Sequence, residues 1–335
     1  MHYEIRNKEW KIDQGFNLYI DVITKCNAKC AFCIAPSVGR KDGPRLLDGL
    51  TWALNVTDRV NGSVQLMGGE PMISPLFQDV MKAIGRSTAH RKVVNTNASF
   101  VTEQRINQMK EAGINYLNIS RHHWDDMVNQ QIMKMKPLLT TAKIEQIRGR
   151  LGEVGLGSRL NCCLLKEGVS NYEDVMEFVG YGKDLGFTEI AFSQTFPLGL
   201  FDYQVPLELG YTEDQQVDLR AIVRKIDQSV RWEASERLED KYSMWGKSHW
   251  RGGGRPEQGK RRFWKNKNDG VTVSIKTLSG YSKKGIPHET SYSKVDDPEL
   301  QNGFATFAVV HPDGVVTASW DSRDRIWYQP PQKGA

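Results

Sequence analysis

Cysteine is scarce in this chain: five residues of 335, an odd number. That count excludes a disulfide framework as the source of stability, and free thiols suit a reducing compartment. Long apolar runs are also missing, since nothing approaches the roughly 20 residues needed to span a bilayer. The first stretch, MHYEIRNKEWKIDQG, is polar and lacks the apolar centre of a secretory signal. A cytoplasmic protein without a membrane partner is the expectation. The net charge of +5 is mild and speaks against a nucleic-acid partner. Part of the excess is local, in KSHWRGGGRPEQGKRRFWKNKND (247–269), where basic residues alternate with Trp and Phe. Such a segment is either a solvated glycine-rich loop or a grip on an anionic substrate.

What is present is 39% apolar residues, enough for one large domain or a large domain with an appendage. Short β-rich runs alternate with helical patterns over most of the chain. The strands expected are NLYIDVIT (17–24), SVQLMGGE (63–70), RKVVNTNA (91–98), NYLNISRHH (115–123), SRLNCCLLK (158–166) and TEIAFSQT (188–195). Six strand–helix units in succession imply parallel strands with right-handed crossovers, hence a doubly wound sheet or a full or partial barrel. After about residue 200 the pattern weakens. Residues 205–245 read as helical and 247–270 as a basic loop. A β-hairpin over 304–321 turns at Pro312, Asp313 and Gly314.

Three of the five cysteines, Cys26, Cys30 and Cys33, fall within KCNAKCAFC, directly after the first strand of the alternation. Parallel α/β folds place their chemistry at that edge. Scattered structural cysteines rarely cluster this way. A zinc site normally needs four closed ligands from two separated pairs, and Cys162 and Cys163 are adjacent on a strand. An iron–sulfur cluster held by three thiolates is the third reading. One iron would then be open to a substrate or cofactor.

Cys-x3-Cys-x2-Cys with Phe32 before the last cysteine, followed by GGEP (Gly68, Gly69, Glu70 and Pro71) at the end of the next strand, resembles the radical S-adenosylmethionine (SAM) superfamily. The likeness continues through VVNTNA, MKEAGINYLNIS and RLNCCLLKEGVSN. It is similar to the branch holding the GTP 3′,8-cyclase and peptide-modifying enzymes. Those relatives commonly carry further cysteines near the C-terminus; here none follows Cys163, and Trp320 stands after Ser319 in VVHPDGVVTASW. The ligand count therefore excludes an auxiliary cluster.

The resemblance implies an α/β fold, a partial (β/α)6 TIM-like barrel over 1–200. A C-terminal α+β extension over 201–335, containing the β-hairpin, would cap it and meet substrate. It implies a [4Fe–4S] cluster on Cys26, Cys30 and Cys33, with SAM on the fourth iron. An electron from a flavodoxin- or ferredoxin-type reductant would cleave SAM to methionine and a 5′-deoxyadenosyl radical. Gly68, Gly69 and Glu70 would meet SAM's amino group, Phe32 its adenine, and Ser120, Arg121 and Asn161 its carboxylate or ribose; Asn97 joins this cofactor set.

Strand parity adds substrate candidates, because polar residues recurring at period two on a parallel barrel strand point inward. These are Tyr19, Asn95, His122, Arg159 and Gln194; Asp21, Asn97, Asn118, Ser120, Asn161 and Cys163 share the inner faces. Cys163 is either a small buried hydrophobe or a hydrogen-atom donor to a substrate radical. The leading function is a radical SAM enzyme acting on a small polar metabolite: a nucleotide, sugar or amino-acid derivative in a biosynthetic pathway. The alternatives are a peptide-modifying enzyme, a glycyl-radical activating enzyme and a metal-binding scaffold without catalysis.

Overall fold

The computed structural model describes residues 2–5, 8–33, 42–195, 217–235, 261–276, 304–318 and 326–331. Strands β1 (His2–Ile5) and β2 (Lys8–Asp21) pair antiparallel. There follow α1 (Leu46–Arg59), β3 (Ser63–Met67), α2 (Phe77–Arg86), β4 (Arg91–Thr96), α3 (Glu103–Glu111), β5 (Tyr116–Ser120), α4 (Asp126–Met133) and α5 (Thr141–Glu153). The alternation ends with β6 (Gly157–Leu164), α6 (Tyr172–Asp184) and β7 (Glu189–Gln194). Beyond it lie α7 (Leu219–Gln228), β8 (Trp232–Ala234), β9 (Arg261–Asn266), β10 (Thr272–Lys276), β11 (Phe304–Val310), β12 (Val316–Thr317) and β13 (Ile326–Tyr328).

These strands form one sheet in the order β13-β12-β11-β2-β3-β4-β5-β6-β7-β10-β9-β8, with β1 beside β2; the path does not close. Strands β2 to β7 are parallel neighbours in sequence order, as the alternation requires. Two more parallel strands come from the C-terminal third: β10 adds beside β7 and β11 beside β2. The division at residue 200 therefore coincides with no break in the sheet.

The outward faces of the parallel strands are largely apolar and pack under helices. Leu18, Ile20, Val64, Leu66, Val94, Leu117, Ile119, Leu160 and Phe192 are all buried in one core. The helices start where side chains can hold their first amide groups: Thr102, Asp125, Thr140, Asn171 and Asp218 each accept from an N–H in the first turn. No helix among the described residues is long and apolar enough to cross a membrane.

Three expectations change. The helical region 205–245 is realised in α7, but Trp232–Ala234 is a strand; 205–216 and 236–245 lie outside the described residues. The basic loop 247–270 ends in β9, and 247–260 lie outside the described residues. Trp264, 1% exposed, faces Val273 of β10 and donates from its indole to Asp227, which also takes two bonds from Arg262. Arg262 is thus engaged by the fold. Finally, the first strand expected, 17–24, begins earlier, as β2 running Lys8–Asp21 and pairing with β1. The β-hairpin expected over 304–321 is seen as β11 and β12, with Gly314 bonded back to His311 at its turn; 319–321 lie outside the described residues.

Candidate functional site

Beyond β2 the chain runs on beside the end of β3. Val22 N donates to Met67 O (3.0 Å), Gly69 N to Ile23 O (2.7 Å) and Glu70 N to Lys25 O (3.0 Å). The glycine pair makes this approach possible. Gly68 has φ +141°, and a Cβ there would lie 2.7 Å from the Ile23 oxygen; a Cβ on Gly69 would overlap the Lys25 carbonyl outright. The cysteine loop and the GGEP segment are therefore one backbone assembly.

A second wall holds the loop from the side. Lys29 N donates to Met133 O (2.9 Å), Lys136 N to Asn27 O (3.1 Å) and Asn27 Nδ2 to Lys136 O (2.8 Å). From the β4 side, Asn97 Nδ2 donates to Asn27 Oδ1 (2.8 Å) and lies 3.9 Å from Cys26 Sγ. Cys26 is exposed, and Cys30 and Cys33 are half-buried. Burial, above all, pushes the Cys30 thiol up; the neighbouring sulfurs of Cys33 and Cys26 add to it. The thiols thus crowd one another, and a bound cation would reverse that balance. Among the described residues no three His, Cys, Asp or Glu side chains converge on one metal ion. A single tetrahedral ion needs all its sulfurs about 2.3 Å away, whereas a four-iron cube takes each thiolate on a different iron. Three cysteine side chains on one pinned loop are the donor set that such a cube takes.

Glu70 is fully buried. Its carboxylate accepts from Met72 N (3.1 Å), Thr96 Oγ1 (2.7 Å) and Asn97 N (2.8 Å). Burial raises its pKa, against the pull of these three donors. The side chain ties the rim of β3 to that of β4 and keeps about one of a carboxylate's roughly four acceptor positions.

Below the rim, register aligns the inner faces: Tyr19 with Gln65, Asn95 with Asn118, Asn118 with Arg159, and Ser120 with Asn161. Arg159 Nε donates to Asn161 Oδ1 (3.0 Å), and the Tyr19 ring meets Phe307 edge-on at 6.0 Å. His122 sits where rim and interior join. Its Nδ1 accepts from Cys163 N (3.0 Å), which leaves the proton on Nε2, and its ring meets Phe32 edge-on at 4.8 Å. Burial, then Arg121, lowers its pKa to about 3. Cys163 faces the same side as Arg159 and Asn161; burial, then Cys33, pushes its thiol up to about 12.

Two site expectations are corrected. Arg121 is fully buried on the helix side, where it donates to the carbonyls of His123, Leu139 and Trp124 and to Asp126. Its guanidinium fastens the segment carrying α4 and does not face the interior. Gln194 pairs with Leu164 on the outward, helix-packed parity of β7; the inward residues there are Ala191 and Ser193. Sequence reasoning missed Gln65, whose single polar side chain between Val64 and Leu66 was a usable period-two signal. It also missed Asn27, which only the folded loop brings against Lys136.

The chain is 22% identical over 176 residues to a GTP 3′,8-cyclase of Aquifex aeolicus, covering 51% of this chain and 54% of that protein. It is 26% identical over 208 residues to the molybdenum cofactor biosynthesis protein moc-5 of Caenorhabditis elegans, covering 58% and 32%. The chain thus spans about half, or less, of these relatives. In fold it is similar to SuiB of Streptococcus suis, solved bound to S-adenosylmethionine, with a TM-score of 0.56 and 14% identity over 90% of this chain and 60% of that one. The family model described as the radical SAM superfamily matches residues 20–204, the span that carries the cysteine loop, the glycine pair and the parallel strands. The chain belongs to the radical SAM superfamily.

Proposed function

We propose that this protein is a radical SAM enzyme that abstracts a hydrogen atom from a small polar metabolite. The observation that carries this reading is the loop of three thiols pinned by backbone bonds at the end of a polar wall that carries amides, the Arg159 guanidinium and the buried Asp21 carboxylate. Cys26, Cys30 and Cys33 would hold a [4Fe–4S] cluster, and SAM would complete it at the GGEP rim. Bound there, the pair supplies one-electron cleavage of a sulfonium C–S bond, chemistry that belongs to the cofactor.

The chain's own residues position and enclose. Glu70 locks two strand ends, Asn97 and Asn27 fix the loop from the β4 side, and Phe32 with His122 closes the rim over β5 and β6. Tyr19, Asn95 and Arg159 face the substrate space, and Ser120 and Asn161 lie nearer the cofactor. The C-terminal strands β10 and β11 extend the wall on both sides and would complete the enclosure, keeping water from the reacting centre.

Anaerobic reconstitution tests the reading. About four irons and four sulfides per chain are expected, with dithionite-dependent production of 5′-deoxyadenosine from SAM. Deuterium from a labelled metabolite should appear in that product. Zinc without iron, or equal product from the protein with Cys26, Cys30 and Cys33 all changed to Ala, would sink it.

A further inference from the structure

Two buried side-chain atoms of the interior, Gln65 Nε2 and Asn118 Oδ1, have no hydrogen-bond partner among the described residues. Both residues are only 2% exposed. Leaving such a group unpaired costs about 1–3 kcal/mol, so folded interiors retain few of them. Asn118 has its polarity set by neighbours. Asn95 Nδ2 donates to the Leu66 carbonyl (3.2 Å), which turns Asn95 Oδ1 toward Asn118 to accept from its Nδ2 (2.8 Å). A backbone carbonyl only accepts, so turning Asn95 over would lose both bonds, and turning Asn118 over would set its oxygen against the Asn95 oxygen and lose the second. Asn118 Oδ1 is therefore an oriented acceptor that calls for an N–H or O–H, while Gln65 offers a donor.

Their spacing limits the ligand. Gln65 lies on β3 and Asn118 on β5, with β4 between them. Two strand spacings separate the strands by about 10 Å. Gln65 shares its register row with Val93 and Tyr116, one pleat below the row of Asn95, Asn118 and Arg159. A single small group cannot satisfy both amides; the ligand must carry several polar groups on one frame. The deep end is filled. Asn17 bonds to Ser63, Tyr116 packs against the bare Cα of Gly157, and Arg91 lies 5.4 Å from the centre of the Tyr116 ring. A compact molecule entering from the rim suits this dead end better than a threaded chain.

We propose that Gln65 and Asn118 read the hydroxyl groups of a polyhydroxylated ring, a sugar or cyclitol, either free or as the sugar of a nucleoside. A hydroxyl donates to Asn118 and another accepts from Gln65, and a neutral ring asks for no buried counter-charge. The proposal deepens the substrate half of the function above and rests on that reading only for what is done to the ring.

The iron-loaded wild type, Asn118→Ala and Gln65→Met proteins would be melted, and assayed with SAM and dithionite, in the presence of carbon-deuterated D-glucose, myo-inositol, guanosine or trialanine. At least one hydroxylated probe should raise the wild-type melting temperature and pass deuterium to 5′-deoxyadenosine. Its half-saturating concentration should rise about tenfold in Asn118→Ala. Without any probe, Gln65→Met should melt higher than wild type, because it removes an unpaired amide at similar length. A response to glucose or inositol identifies a free ring, and one to guanosine alone a nucleoside. A response to trialanine only, to no hydroxylated probe, or a Gln65→Met protein that melts lower overturns the proposal. A wild type that makes no 5′-deoxyadenosine, yet melts higher with a hydroxylated probe, would defeat the radical SAM reading and leave this one standing.

Discussion

At the rim of the sheet the bonds around the cysteines run through the main chain: Val22 to Met67, Gly69 to Ile23, Glu70 to Lys25, Lys29 to Met133. Two residues deeper in the wall they run through side chains, from Asn118 to Asn95 to the Leu66 carbonyl, and from Arg159 to Asn161. The difference sets how each region responds to change. A main-chain assembly tolerates many side chains but no extra atom at its closest approach. An amide relay tolerates no change of polarity, yet its loss leaves the strand ladder intact.

The largest effect should come from Gly69→Ala, whose new Cβ would overlap the Lys25 carbonyl. The loop must move, at the upper end of the about 1–3 kcal/mol that overpacking costs. Iron uptake should fall nearly to zero while far-UV circular dichroism stays native; normal iron content would show the rim to be looser than its bonds imply.

His122, at the junction of the two regions, should give an intermediate effect. Its pKa falls to about 3 through burial, then Arg121; the unfolded chain has an ordinary histidine near 6.5. Below about pH 6.5 the unfolded state binds a proton that the folded state refuses. Stability should therefore be full above that pH and decline as pH falls toward 3, by about 2 kcal/mol at pH 5. Denaturant melts of wild type against His122→Gln check this. The variant should lose most of that slope, and parallel profiles would refute the assignment.

The smallest effect should follow Asn95→Leu. It breaks the relay and leaves Asn118 Nδ2 unpaired, for a net loss of about 1 kcal/mol. Its iron content should match wild type; a fall in iron would mean the interior supports the rim more directly than the bonds indicate.

Legibility follows the same boundary. The thiol spacing and GGEP are short local patterns, and both lie at the rim where the strand order placed them. Period-two polarity also put Asn95, Asn118, Arg159 and Asn161 on one face correctly. It failed for Gln194, because parity needs an anchor within the strand, and the inward residues of β7 are the small Ala191 and Ser193. Arg121 was misplaced because one of its acceptors, the Leu139 carbonyl, lies 18 residues along the chain. Strand β9 was hidden in a basic run whose Trp264 gains its reason only from Asp227 and β10.

Spacing and alternation, which are properties of consecutive residues, were enough to place three thiols over a polar-walled parallel sheet. Which strands from the last third flank that sheet, and which amide atoms of the described residues remain unpaired inside it, depended on register between segments distant in sequence. Hydrogen-bond satisfaction is a property of the whole enclosure, since a buried polar atom is paired or orphaned only once every neighbouring strand is in place.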